Sequence, residues 1–205
     1  MMRPLLFALA LLLAAPSQAG ELPVVPHNRT DVKSRSTTVS TQGADISVDA
    51  FIGAILDANN YPMSASYMGV PALLECRTLE RLPDGRVVIY QRTGGNTLVS
   101  SRHYVIVLKV DQRTDTQAKV SWDLVKHDLV NGKFVGPYAS ALNAHPEAVY
   151  TPYNIGAWTY NKSTGTVTYS ASSDPGGEIP GWMVGEGAVT AFPLELLRVK
   201  WGVEP

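Results

Sequence analysis

Short turns between segments of strand-like sequence constrain this chain more than any other feature. Two pairs of such segments are separated by only a few turn-forming residues: 73–79 and 86–92 on either side of Leu82-Pro83-Asp84-Gly85, and 156–161 and 166–171 on either side of Lys162-Ser163-Thr164-Gly165. Turn residues in this position are typical of β-hairpins. Because short turns join antiparallel strands, whereas parallel strands need a long crossover, the sequence predicts an antiparallel sheet.

The sequence between the two hairpins alternates in the way expected of strands with one buried face. Apolar side chains occupy every second position in two runs: Tyr104, Ile106, Leu108 and Val110, then Ala118, Val120, Trp122 and Leu124. The stretch 126–150 that follows them is irregular and contains the turn dipeptide Asn131-Gly132. It predicts a loop with a short helix.

A helix is predicted on each side of the strands. Ser47 can cap the first helix, and Asn59-Asn60-Tyr61-Pro62 ends it. The second helix, predicted over 182–194, contains one charged side chain, Glu186, and so needs apolar surroundings on most of its sides. We therefore predict an α+β fold in which the sheet curls around the C-terminal helix and leaves a cavity between them. Pro193 is expected to kink or divide that helix.

The first 43 residues are predicted to lie outside the folded domain. Arg3, the apolar run 5–15 and Ser17-Gln18-Ala19 have the pattern of a signal peptide that is cleaved after Ala19. Residues 20–43 are polar and without periodicity, so they are interpreted as a flexible leader. This leaves 44–205 as one domain. A cleaved signal peptide predicts a periplasmic or secreted protein.

Charge and motif content disfavour several classes of function. The formal net charge of −1 supplies no electrostatic argument for binding nucleic acid or anionic membranes. The four histidines (His27, His103, His127 and His145) lack the spacing of metal ligands, and His145 is expected to be a solvated loop residue. Neither a serine-hydrolase elbow nor a phosphate-binding glycine loop is present, so no cofactor is expected. The single cysteine, Cys76, is expected to be a buried core residue.

Five segments carry a family resemblance when they are taken in order. They are 55–62, which ends in Tyr61-Pro62, and then 79–86, 99–105, 156–158 and 173–184. The last of them contains DPGGEIPGWMV, close to a DPGG-x-IP-x-W-hydrophobic-V signature. Together they resemble START domains (StAR-related lipid transfer), particularly bacterial ones, over residues 44–200.

This resemblance implies a helix-grip fold, in which a curved antiparallel sheet surrounds a long C-terminal helix and a hydrophobic tunnel. START domains bind one hydrophobic molecule, such as a sterol, phospholipid or ceramide, without catalysis. We accordingly expect a monomer that carries a hydrophobic small molecule, contacts membranes transiently, binds no nucleic acid and needs no cofactor or metal. Two residues depart from the family pattern: His103 replaces an acid, and Gly185 replaces a common Asn. The long stretch 126–150 is a candidate for a lid.

Six residues are candidates for ligand contact. Arg102 has the same parity as Tyr104 and Ile106, so it should point to the apolar face, where a buried guanidinium needs a partner. The resemblance implies that this partner is an acid or the ligand's polar head; the alternative is a side chain that reaches water at the strand end. The other candidates are aromatic or methionine side chains, which line apolar pockets well: Trp122, Trp158, Tyr169, Met183 and Phe192. Each could equally belong to an ordinary core.

Two other functions stay open. Polyketide cyclases and aromatases share the helix-grip superfamily and would need two or more titratable residues facing inward. The second alternative is an envelope interaction protein with a small or filled cavity.

Overall fold

The predicted order of helix, strands and helix is present in the structure, preceded by one strand that was not predicted. The computed structural model describes residues 21–67, 70–94, 100–177 and 186–204. Its elements, in chain order, are β1 (Ser34–Ser40), α1 (Val48–Leu56), a single 3-10 turn (Ala58–Asn60), β2 (Ser66–Tyr67), β3 (Val70–Pro71), β4 (Glu75–Arg81), β5 (Val87–Thr93), β6 (Arg102–Arg113), β7 (Gln117–Leu124), β8 (Asp128–Val130), β9 (Lys133–Val135), α2 (Ala139–Asn143), β10 (Val149–Tyr150), β11 (Tyr153–Asn161), β12 (Thr166–Asp174) and α3 (Glu186–Trp201).

A curved, open antiparallel sheet organises the described part of the chain. Its strand order is β1-β12-β11-β7-β6-β5-β4, and β10 joins it by pairing parallel to the start of β6. Both predicted hairpins are present, as β4–β5 and β11–β12. Their turns place Gly85 and Gly165 at positive φ, where glycine carries no steric cost. The predictions of an antiparallel sheet and an α+β fold are confirmed.

Both faces of the sheet are covered, and β6 shows how the sequence achieves this. Its even-numbered side chains, including Tyr104 and Ile106, belong to the larger apolar cluster together with α1 and α3. Its odd-numbered side chains Val105 and Val107 belong to a second cluster on the opposite face. Because successive strand residues point to opposite faces, one strand serves two cores. We call the α1 and α3 side the inner face and the other side the outer face.

The two long helices close the inner face. Ser47 caps α1 as predicted, since its Oγ accepts a hydrogen bond from the backbone N–H of Ala50 at 3.1 Å. Phe51 of α1 is fully buried, as are Leu196 and Leu197 of α3. No helix among the described residues is long and apolar enough to cross a membrane.

Pro193 does not divide the C-terminal helix, which runs unbroken from Glu186 to Trp201. The prediction of division is therefore wrong. An interior proline removes one backbone hydrogen bond and costs about 3 kcal/mol. Leu196 and Leu197, in the turn that follows, are fully buried in the inner cluster. Burying two leucines contributes about 3–6 kcal/mol, which is enough to offset the cost of the proline.

Residues 126–150, which we call the outer cover, pack on the outer face. Leu142 of α2 is fully buried there, and Phe134 and Tyr138 pack against the same cluster. The prediction of a short helix in this stretch is confirmed. The expectation of a lid over the inner cavity is wrong, because the cover lies against the odd-numbered face of β6. Only its end, at Val149, reaches the turn that contains Gly177.

The N-terminal segment is structured, contrary to the interpretation of 20–43 as a flexible leader. β1 pairs with β12 along its whole length and becomes an edge strand of the sheet. Upstream of it, Val25 donates to the Leu124 carbonyl at 2.9 Å, and Lys126 donates to the Pro23 carbonyl at 2.8 Å. The interpretation failed because β1 is held by backbone hydrogen bonds and buries a single apolar side chain, Val39. The signal peptide predicted over 1–19 lies outside the described residues.

Candidate functional site

Four of the six candidate residues form one continuous aromatic chain on the inner face. Trp122 stacks on Tyr169, with ring centroids 5.3 Å apart, and Tyr169 meets the edge of Trp158 at 4.7 Å. Trp158 in turn contacts Phe192 of α3 at 6.0 Å, and Phe192 contacts Tyr61 at 5.2 Å. We call these five residues the aromatic wall. It joins the sheet to α3, the two elements between which the sequence predicted a cavity.

Trp122 takes its place in the wall because its neighbour Gly156 has no side chain. The two residues are cross-strand partners on β7 and β11. A Cβ at Gly156 would lie 2.2 Å from Trp122 Cζ2 and 2.2 Å from the Ser170 carbonyl oxygen, closer than any real contact. The indole therefore lies flat over the glycine backbone. Its Nε1–H donates to Asn154 Oδ1 at 2.8 Å, which fixes the ring orientation.

Tyr169 combines accessible surface with desolvating surroundings. Its side chain is half-buried and keeps accessible surface, yet the protein around it desolvates the phenol enough to raise its pKa well above the ordinary value. Phe192, which meets Trp158 across from it, is also half-buried. Accessible surface on a residue that protein surrounds is the property expected of a cavity wall.

Arg102 points into the inner face, as its parity predicted. The residue is only 8% exposed, and its Nη1 donates to the Ser100 carbonyl. Its Nε has no hydrogen-bond partner, and no carboxylate of the described residues forms an ion pair with it. Burial lowers the pKa of the guanidinium from its usual value.

The DPGG turn lies next to the Arg102 guanidinium. Asp174 Oδ1 accepts a hydrogen bond from the Gly176 N–H at 3.0 Å, and Gly176 and Gly177 both have positive φ. A Cβ at Gly176 would lie 2.5 Å from the Tyr150 carbonyl oxygen, so this turn packs directly on β10. A Cβ at Gly177 would lie 3.9 Å from Arg102 Nη2. The DPGG turn thus lies against the buried Arg102 side chain.

The remaining predicted residues divide into two groups. Met183 and Gly185 lie outside the described residues. Cys76 is buried, as predicted, and burial raises the pKa of its thiol to about 12. His145 is not a solvated loop residue, because it stacks on Tyr90 at 5.9 Å and its Nε2 lies 3.0 Å from Glu75.

Three inner-face residues were missed as site candidates. Tyr61 ends the aromatic wall, and its position in the Tyr61-Pro62 motif was the available signal. Tyr104 is buried on β6 two residues after Arg102, and its pKa is raised by burial and then by the nearby Tyr169 phenol. Because Tyr104 belongs to an alternating apolar pattern, the sequence indicated an ordinary core residue rather than a site residue. Nothing in the sequence around Asn154 indicates a site residue, because its role depends on a cross-strand hydrogen bond with Trp122.

Comparison with known proteins establishes the fold. Neither a protein-family model nor a curated protein matches the chain. Among solved structures it is similar to the STAR-related lipid transfer protein from Xanthomonas axonopodis, with a TM-score of 0.57 and 20% identity over 86% of this chain and 89% of that one. It is also similar to human STARD10 (TM-score 0.52, 12% identity, 84% of this chain and 64% of that chain) and to the human StarD13 lipid transfer and protein localization domain (TM-score 0.51, 13% identity, 86% and 81%). The chain has a START-like fold.

Proposed function

We propose that this START-like domain binds one hydrophobic molecule of the lipid or sterol class between the sheet and α3, against the aromatic wall, and carries it through an aqueous compartment. It acts as a monomer, without catalysis. The observation that carries the proposal is the buried Arg102 on the same face of the sheet as the aromatic wall: among the described residues its Nε has no hydrogen-bond partner and its guanidinium meets no carboxylate. An apolar space with one polar anchor is the arrangement that binding of an amphiphilic ligand requires.

The desolvation of Arg102 favours such a ligand. A buried polar group without a hydrogen bond costs about 1–3 kcal/mol, and a charged one costs more. An oxygen of the ligand's head that accepts from Arg102 Nε would remove this cost. The apolar part of the ligand would contribute about 25 cal/mol for each Å² that it removes from water. Arg102 therefore favours an oxygen-bearing head, and the wall favours an apolar body.

The protonation states of the inner face favour binding over acid–base chemistry. The titratable groups described there include Arg102, Cys76 and the phenols of Tyr61, Tyr104, Tyr160 and Tyr169. Burial raises the pKa of all four phenols and of the Cys76 thiol, so these groups stay protonated at neutral pH. A general base needs a pKa near the working pH. None of these groups offers one, which argues against the cyclase alternative.

Native mass spectrometry of the mature protein, purified from its own cells and followed by organic extraction, tests the proposal. We expect one hydrophobic molecule per chain. In the Arg102→Met variant we expect the bound fraction to fall, whereas Arg113→Met, which removes an exposed arginine, should leave it unchanged. An empty wild-type protein that also fails to take up added sterols and phospholipids would contradict the proposal. The same intact mass tests cleavage after Ala19, and with it export to the periplasm or the medium.

A further inference from the structure

The β8–β9 hairpin presents apolar side chains to solvent. It turns at Asn131-Gly132, which both have positive φ, so the two-residue turn suits a tight hairpin. Leu129 is 64% exposed, Val130 50% and Val135 43%. Val130 and Val135 lie on one face of the hairpin with Lys133, and Leu129 lies on the other face beside Phe134. The exposed aliphatic side chains therefore surround the end of the hairpin, and exposed apolar surface that is grouped in this way marks interaction sites.

This hairpin is held rigidly on the sheet. The Phe134 ring packs inward, 5.8 Å from His103 and 5.1 Å from Tyr150. The side-chain amide of Asn143 binds both backbone groups of Phe134: Oδ1 accepts from the N–H and Nδ2 donates to the carbonyl, each at 2.9 Å. A preorganised tip loses little conformational freedom when it binds. The exposed aliphatic side chains are therefore displayed by a fixed structure.

Two lysines flank the aliphatic tip. Lys126 and Lys133 are exposed, and neither forms an ion pair with a described residue. Asp128 is the one acid within residues 126–135. The hairpin is thus locally cationic even though the whole chain has a formal net charge of −1. Aliphatic side chains beside unpaired lysines match the surface of a bilayer that contains anionic lipid.

We propose that the β8–β9 hairpin docks the protein on an anionic lipid surface, with Leu129, Val130 and Val135 entering the headgroup region and Lys126 and Lys133 binding its phosphates. The proposal rests on the proposed function in one respect only: a carrier has to meet the membrane that supplies its ligand. The docking surface lies on the outer face, so membrane contact and ligand binding use opposite sides of the sheet.

Vesicle co-sedimentation of the full mature chain tests this surface. Vesicles of phosphatidylethanolamine with phosphatidylglycerol should bind the wild type, and vesicles of phosphatidylcholine alone should bind it more weakly. The double variant Leu129→Ser with Val130→Ser should lose at least about tenfold in partitioning. Lys126→Gln and Lys133→Gln should each lose about fivefold, on the anionic vesicles only. Val199→Ser is the matched control, because Val199 is 52% exposed but lies on α3.

Either of two vesicle results would overturn the proposal: a wild type that does not bind anionic vesicles at low salt, or hairpin variants that bind them as well as the wild type. Self-association without vesicles that disappears in the Leu129→Ser, Val130→Ser variant would also overturn it, since the patch would then be a protein contact. Ligand occupancy of the same variants, measured by native mass spectrometry, separates this proposal from the proposed function. Occupied variants that no longer bind vesicles support docking, and empty protein that still binds vesicles contradicts the carrier function alone.

Discussion

Acidification should destabilise this protein through His103, which lies beneath the outer cover. Its ring is 0% exposed, its Nε2 has no hydrogen-bond partner, and its Nδ1 lies 3.4 Å from the Tyr90 hydroxyl. Burial, followed by the proximity of His145, lowers the pKa of His103 from 6.5 to about 4. Protonation would place a charge between Tyr90 and the Phe134 ring, where water cannot reach it.

The sign and the size of the effect follow from that pKa. Because the folded state binds the proton more weakly than the unfolded chain, stability is complete above about pH 6.5 and is lost as the pH falls towards 4. One pKa unit corresponds to about 1.4 kcal/mol, so the loss approaches about 3 kcal/mol below pH 4. By about pH 5 it already amounts to about 2 kcal/mol.

Urea unfolding at about pH 7.5 and about pH 5 measures this loss. The wild type should lose about 2 kcal/mol more than His103→Phe, which keeps an aromatic ring between Tyr90 and Phe134. The pKa of buried His127 is also lowered, but this contribution is common to both proteins and cancels in the difference. Equal acid sensitivity in His103→Phe and wild type would refute the reasoning.

Three further changes test local parts of the structure. Gly156→Ala forces a methyl group against the Trp122 indole, and we expect the free energy of unfolding to fall by about 1–3 kcal/mol in urea titrations; an unchanged value would contradict the flat packing of the indole. The Cys76 thiol should resist a thiol-specific disulfide reagent in the native protein and react fully in urea, since burial raises its pKa to about 12. Ser47→Ala removes the α1 cap on the Ala50 N–H and should lower the melting temperature through a loss of about 1 kcal/mol, whereas Ser47→Asp should preserve stability.

Features encoded by neighbouring residues were predictable from the sequence. Turn residues located the β4–β5 and β11–β12 hairpins, and the alternation of β6 correctly directed Arg102 inward. Ser47 marked the start of α1, because a cap acts on an N–H only three residues away. The aromatic candidates were chosen for chemistry alone. Their joining into one wall depends on cross-strand pairs such as Trp122 with Gly156.

Features that depend on distant partners could not be predicted. β1 forms a strand because its backbone pairs with the edge of β12. Its own sequence, SRSTTVS, contains only one apolar residue and so gives little indication of a strand. The outer cover was expected on the wrong face, since periodicity does not say which segment covers which side of a sheet. His145 appeared solvated because its partners, Tyr90 and Glu75, come from β5 and β4. The helix continues through Pro193 because tertiary packing outweighs the low helix propensity of proline.

The pairing of β1 with β12 has a consequence for how the chain folds. The first strand of the sheet hydrogen-bonds to its last strand, so that Thr38 and Thr168, whose hydroxyls meet at 2.9 Å, are 130 positions apart in sequence. A contact of this separation forms only after a very large loop has closed, which slows folding. During synthesis β1 has no partner until nearly the whole domain has been made. We therefore expect the β4–β7 meander to form first and this edge to be added last, as the slow step of folding.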